Sequence, residues 1–312
     1  MAKGMKMGSC RKLNCGNEIF ALKQLSKEDK GKLICRFCSA KVVYVSSSAP
    51  QSSKKKVPAY LRLWPHEEHH PTCKNILENA VNHLVAQSQA VENSQPILKK
   101  QQDNTTIFRL NLLQEAQISL KTLSKPVCNQ NNPKNVLAGN EYVKSDKVLS
   151  SYFHSAVGIA KIRGLIEQDK DDIRKLENTV KIQYKDNLIP WNDFYYDDER
   201  YHALSKRLEK SEIEHPIALK VTVKKQPSYY KNAFIYPWTI QCFSEQYGEE
   251  DKKVIIPSIK TNILEISEAF TIQQTYILVG EIWLNKVKDK NNIFRNINIV
   301  IQRKAQFTVY VG

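Results

Sequence analysis

The chain has 312 residues, with 47 Lys and Arg against 32 Asp and Glu, giving a formal net charge of +15. Hydrophobic residues make up 41% and charged residues 25%, enough apolar material for packed cores, which excludes a wholly disordered chain. The length suits two or three domains.

Apolar runs such as 276–279 and 254–256 fall far short of the roughly 18 residues that a membrane span needs. The start of the chain is basic and then continues through Ser9, Cys10, Arg11 and Lys12, where a signal peptide would carry an apolar stretch of about 7 to 15 residues. The expectation is a soluble, cytoplasmic protein with no membrane partner. Ten glycines are present and none lies in a phosphate-cradling loop of the Walker or dinucleotide kind, so nucleotide-driven chemistry is not expected.

The charge is concentrated. Residues 1–60 hold 13 Lys and Arg and three Asp and Glu, residues 61–215 are balanced, and residues 216–312 hold 13 against eight. Clustered cations are the electrostatic footprint of a phosphate-binding surface, because each contact releases condensed counterions. Lys41, Lys54, Lys55, Lys56 and Arg62 are the candidates in the first part of the chain. The alternative for such residues is a solvated surface that only aids solubility.

Five of the seven cysteines and three of the seven histidines precede residue 74. Cys10 and Cys15 flank a small hairpin leading to the segment 18–22 and are left out of the ligand set. Cys35-Arg36-Phe37-Cys38 sits between apolar Leu33-Ile34 and the β-branched run 42–45, so the pair lies on the turn of a β-ribbon. A two-residue spacer lets both sulfurs face one ion, and zinc needs four tetrahedral donors. After a Ser- and Lys-rich loop (46–56) and a strand at 60–64, His69 and Cys73 stand four apart at a helix start and share a face. The expected zinc ligands are therefore Cys35, Cys38, His69 and Cys73, with His70 as the nearest substitute for His69 and His66 as a weaker one. Protein fills all four positions, so the zinc would hold the fold and leave no catalytic site open. A thioredoxin-like redox pair would instead want a helix after Cys38.

This order of hairpin, Cys-x-x-Cys, strand, basic loop, strand, His-x-x-x-Cys and helix resembles the N-terminal zinc module of CoiA-type competence proteins, over about residues 9–92. The resemblance implies an accessory role in DNA uptake, mobile-element or defence systems, followed by a nuclease domain with an acidic residue and a Glu-x-Lys on adjacent strands. No such pattern occurs after residue 100: Glu141-Tyr142-Val143-Lys144 has the wrong spacing and Glu281-Ile282-Trp283 lacks the lysine.

Farther along, apolar positions 76, 77, 80, 81, 84 and 85 predict an amphipathic helix. Polar residues 92–105 read as a linker and 107–113 as a strand, and 125–135 is rich in Asn and Pro. A helix is expected over 150–180, broken near 169–172. The patch Trp191 to Glu199 sets four carboxylates, Asp193, Asp197, Asp198 and Glu199, beside four aromatics. Its bland reading is a turn with packed rings and solvated acids that cap a helix starting near Asp198. Beyond Pro216 five or six strands joined by polar turns predict a small barrel or sandwich, an oligonucleotide-binding barrel being one such fold. There Lys224, Lys225, Tyr229, Tyr230 and Lys231, with Tyr236 and Trp238, mix cations and rings as single-strand binders do.

The expected architecture is α+β in three parts: a zinc-ribbon-like module with its helix (1–98), a mainly helical middle (99–215) and an all-β end (216–312). The leading expectation is a zinc-stabilised accessory protein that binds DNA or RNA, with no catalytic residues assigned. Its rivals are a divergent metal-dependent nuclease using the acids of the 190s, and a scaffold that binds a protein partner without nucleic-acid affinity.

Overall fold

The computed structural model describes residues 5–47, 59–90, 94–123, 134–167, 169–233, 235–247, 253–289 and 292–310. Helices alternate with several small sheets in an α+β architecture. Two compact units form, one from residues up to Leu84 together with Ile162–Leu176, the other from Val85–Lys161 and Glu177–Tyr310. No helix among the described residues is long and apolar enough to cross a membrane.

In the first unit β1 (Ser9–Lys12) lies between β2 (Phe20–Ala21) and β3 (Leu33–Cys35) in an antiparallel sheet. Gly31 takes a positive φ of 80° at the turn entering β3, a conformation that costs glycine nothing. β4 (Val42–Val45) and β5 (Tyr60–Leu63) form a second, two-stranded ribbon, with Val42 opposite Leu63 and Val45 opposite Tyr60. The β-branched and aromatic residues of β4 suit a half-buried pleat. Met7, Leu25, Leu33, Val42 and Leu61 pack with Cys10, Cys35 and Cys73 into one small core. The basic loop carrying Lys54, Lys55 and Lys56 lies outside the described residues. α1 (Leu77–Gln89) follows, burying Leu77, Val81 and Val85 at four-residue intervals.

The second unit begins with β6 (Leu98–Lys100), β7 (Thr106–Arg109) and α2 (Leu110–Leu123). Two sequence expectations change here. Residues 98–100 are a strand paired with β7, because Ile97 and Leu98 are fully buried and anchor what the polar flanks make look like a linker. The strand expected over 107–113 ends at Arg109: Leu110, Leu113 and Leu120 are buried at the three- and seven-residue steps of one helical face. α3 (Lys134–Leu165) and α4 (Lys170–Thr179) break at Ile166–Asp169, close to the expected interruption. Val180, which reads as the end of that helix, opens β8 (Val180–Tyr184), followed by β9 (Asn187–Ile189). The four strands pair in the order β6-β7-β8-β9, with β7 and β8 parallel, so the helix-rich middle of the chain also carries a sheet. α5 (Trp191–Phe194) and β10 (Tyr195–Tyr196) come next, and α6 (Tyr201–Lys210) starts three residues later than expected.

The remaining chain is β-rich, as expected. β11 (Ile217–Thr222), β12 (Ser228–Tyr229), β13 (Trp238–Gln241), β14 (Glu245–Tyr247) and β15 (Lys253–Thr261) precede the short α7 (Leu264–Ser267). β16 (Thr275–Gly280), β17 (Ile282–Asp289), β18 (Asn292–Val300) and β19 (Phe307–Val309) complete it. Two sheets result, β10-β11-β16-β19 and β12-β13-β15-β18-β17, the latter with β14 beside β15. They share a core that includes Leu219, Val221, Ile240, Ile259, Leu278, Ile297 and Ile299. β16 and β17 are separated by Glu281 alone, and β11 approaches β13 through one isolated bridge, Val223 to Cys242. The ladder thins to that bridge, so the sheets do not close into a single barrel.

Candidate metal centre and basic surfaces

The metal-ligand candidates come from three local structures. Cys35 ends β3, Cys38 lies on the bend that returns to β4, and His69 and Cys73 stand on the turns ahead of α1. The bend is closed by the Cys35 N–H donating to the Ala40 carbonyl at 2.8 Å. The Arg11 guanidinium crosses from β1 and donates to the carbonyls of Cys35 (3.2 Å) and Cys38 (3.0 Å). It therefore fixes the bend and brings a cation towards a set that is anionic once three thiols ionise.

The donor atoms of Cys35, Cys38, His69 and Cys73 all lie within 4.8 Å of one another. Cys35 Sγ is 3.8 Å from Cys73 Sγ, and His69 Nδ1 is 3.4 Å from Cys38 Sγ and 3.5 Å from Cys73 Sγ. A tetrahedral ion with metal–sulfur bonds of about 2.3 Å and metal–nitrogen bonds of about 2.05 Å would set these separations at about 3.8 and 3.6 Å. The arrangement fits a metal ion without rearrangement at these three edges. Hydrogen bonds already point at the sulfurs: the N–H of Phe37 reaches Cys35 Sγ and that of Asn75 reaches Cys73 Sγ, both at 3.4 Å. His69 Nε2 is 3.1 Å from the Asn75 side-chain amide, whose nitrogen also donates to the Met5 carbonyl at 2.8 Å.

Burial sets the proton inventory. It pushes the Cys73 thiol up to about 12 and raises Cys35. Cys38 feels the same burial, but donation from the backbone N–H groups of Ala40 and His70 and from neighbouring thiols brings it below the usual thiol value. Burial also lowers His69, keeping the imidazole neutral and ready to coordinate. Without an ion, two of the three sulfurs hold their protons near neutrality, and an ion that binds must displace them.

Among the substitutes, His70 is exposed with Nδ1 on the Thr72 hydroxyl at 2.9 Å, and His66 is exposed at a positive φ of 65°. Cys10 is buried opposite Cys35 across the β1–β3 ladder and Cys15 is exposed. Neither joins the cluster. Asn75 and Arg11 are contributors that spacing does not reveal.

Of the candidate nucleic-acid contacts, Lys41 and Arg62 are exposed in the first unit, and Lys54, Lys55 and Lys56 fall outside the described residues. In the second unit Lys224, Lys225 and Lys231 are exposed, as are Tyr229 (58%) and Tyr230 (56%). The Lys224 and Lys225 backbones donate to the Gln241 carbonyl, and Tyr230 donates to Pro237 at 2.8 Å. These bonds pin both ends of the β12–β13 hairpin, with Tyr229 against Trp238 at 4.9 Å between ring centres.

The acidic patch of the 190s disperses. Trp191, Phe194, Tyr195 and Tyr196 are buried, with the Trp191 indole donating to the Val180 carbonyl. Asp193 pairs with Arg207 at 3.3 Å and Asp198 with Lys220 at 3.6 Å. Among the described residues the only grouping of His, Cys, Asp or Glu with metal-binding geometry is the Cys/His cluster.

No family model and no curated protein matches the chain. Among solved structures, a small single-stranded DNA-binding protein from Streptomyces coelicolor is similar at 13% identity and a TM-score of 0.20, covering 28% of this chain and 88% of that one. At that score the likeness defines neither a fold nor a ligand.

Proposed function

We propose that the chain is a zinc-stabilised, nucleic-acid-binding accessory protein. The observation that carries the reading is a closed Cys3His donor set inside a strongly basic module. Three thiolates and one imidazole are soft and borderline donors at tetrahedral spacing, the combination that favours zinc over calcium, magnesium or manganese. With all four positions supplied by protein, the ion's role is to staple two small ribbons whose shared core would be marginal alone. The resemblance to CoiA-type modules supports the same role.

The staple holds exposed cations in place: Lys41 follows the Cys-x-x-Cys bend, and Arg62 lies opposite Val43 on the ribbon. Lys41, one of the 13 Lys and Arg of the first 60 residues, and Arg62 are the exposed phosphate contacts of this unit. The second unit adds Lys224, Lys225 and Lys231 interleaved with Tyr229 and Tyr230, the mixture that combines phosphate attraction with base stacking.

Elemental analysis of protein purified without added metal is expected to give one zinc per chain, lost in Cys35→Ala. Binding of labelled DNA and RNA is expected to weaken steeply with salt, log affinity falling linearly with log salt concentration. Absence of zinc would remove the staple. Affinity insensitive to salt would remove the phosphate contacts, and co-purification of a protein with no nucleic-acid affinity would favour the scaffold reading instead.

A further inference from the structure

The alternation of the six-stranded sheet leaves one face turned away from the core. Ile240, Ile259 and Ile299 point inward and join the shared core, so their strand neighbours point outward. Register lines these up across four strands: Gln241 of β13 opposite Ser258 of β15, then Asn298 of β18, then Trp283 of β17. One row over, Thr239 faces Lys260. The outward face thus carries a polar row ending in an indole, where a sheet exposed only to water would carry solvated charges.

Ser258 and Asn298 are only 6% and 2% exposed, so the chain itself covers the middle of this row, and two features mark what the face still offers to a ligand. The ring of Tyr236, from the β12–β13 connection, stacks on Trp283 at 6.0 Å with a 30° tilt, and both rings remain half-exposed. The Lys260 ammonium is half-buried, donates to the Thr239 hydroxyl at 2.8 Å, and has no carboxylate partner among the described residues. Burial lowers its proton affinity, a cost that a bound anion would offset. The carboxylate facing this edge is Glu281, close enough to act on Tyr236.

We propose that this outward face is a track for single-stranded nucleic acid, with Trp283 and Tyr236 as the base-stacking platform and Lys260 as the phosphate partner. The inference rests on the nucleic-acid reading above and assigns that reading a site and a strand class. Gln241, half-exposed beside the lysine, carries an amide, which donates and accepts and so matches the edges of unpaired bases. In a duplex those faces and edges are already occupied.

The test uses the full-length, zinc-loaded chain and fluorescence anisotropy with a short labelled oligothymidylate, the matching RNA and a duplex. The wild type is expected to prefer the single strands. Trp283→Leu and Tyr236→Ala are each expected to weaken them by about 5- to 100-fold, with Trp283→Phe restoring most of the loss. Lys260→Met is expected to reduce the salt slope by about one. Leu188→Ala, in the other β region, serves as the unaffected control, and far-ultraviolet spectra verify that each variant is folded. Wild-type-like binding by Trp283→Leu, Tyr236→Ala and Lys260→Met would overturn the track while leaving nucleic-acid binding intact, as would a duplex bound as tightly as the single strands. A wild type that binds none of the probes would overturn the underlying reading as well.

Discussion

At the residue scale, the donors and the groups that support them differ in how far sequence reveals them. Cys35, Cys38, His69 and Cys73 are legible because a ligand set obeys spacing rules: two residues between sulfurs on a bend, three between the donors ahead of a helix. Asn75 obeys no such rule. Its backbone N–H reaches Cys73 Sγ, and its side chain bridges Met5 and His69, contacts set by where the segment before β1, 70 residues away, arrives. The Asn75 amide nitrogen, 3.1 Å from His69 Nε2 and 2.8 Å from the Met5 carbonyl, holds the outer edge of the ring and so orients Nδ1 towards the thiols. Asn75→Leu is therefore expected to weaken zinc retention by about 10- to 100-fold, read by competition with a chromophoric chelator. Cys10→Ala, buried beside the cluster and outside it, is expected to keep one zinc per chain. Equal retention by Asn75→Leu and wild type would show that the amide does not orient the ligand.

At the element scale, the strands beyond Pro216 are legible because inward Ile, Val and Leu alternate with outward polar residues over long runs. β8 and β6 escape, since β8 starts at the last residue of a helical pattern and β6 at the end of a polar one. Barrel closure was equally hidden: it depends on the single bridge between Val223 and Cys242 and on the step at Glu281 between β16 and β17, neither of which is a periodicity. Gly280, the last residue of β16, marks that step. A Cβ there would stand 2.5 Å from the Val300 carbonyl oxygen and 3.4 Å from Gln306 Nε2. That amide donates to the carbonyls of both Val279 and Val300, so neither strand can recede without breaking a bond. Gly280→Ala is expected to destabilise the second unit by about 2 kcal/mol, which at about 2 to 4 °C per kcal/mol for a unit of this size lowers Tm by about 4 to 8 °C. Differential scanning calorimetry reads it directly, and an unchanged Tm would mean the strands part freely at Glu281.

At the scale of the whole molecule, the excess behind the net charge of +15 lies in residues 1–60 and 216–312, stretches with different structural supports, and that difference can be measured. The first unit's small core shares three of its cysteines with the metal cluster: Cys35, Cys38 and Cys73. Removing the ion leaves thiols whose burial favours their protonated forms and forfeits a binding energy of about 10 to 16 kcal/mol in comparable small zinc modules. That exceeds or equals the whole stability of a typical domain, about 5 to 15 kcal/mol, so the ribbons cannot survive the loss. The second unit's β core has no such dependence, because Ile240, Ile259, Leu278, Ile297 and Ile299 are fully buried among aliphatic and aromatic neighbours. Hydrogen exchange followed by mass spectrometry, with and without a strong zinc chelator, is expected to show lost protection across β1 to β5 and unchanged protection across β13, β15 and β18. Nucleic-acid affinity under the same conditions is expected to fall without vanishing, and its salt slope to drop, because the phosphate contacts of the first unit go while those of the second persist. Protection lost in both units together would mean that the zinc holds the entire chain, and an unchanged salt slope would place every phosphate contact in the second unit.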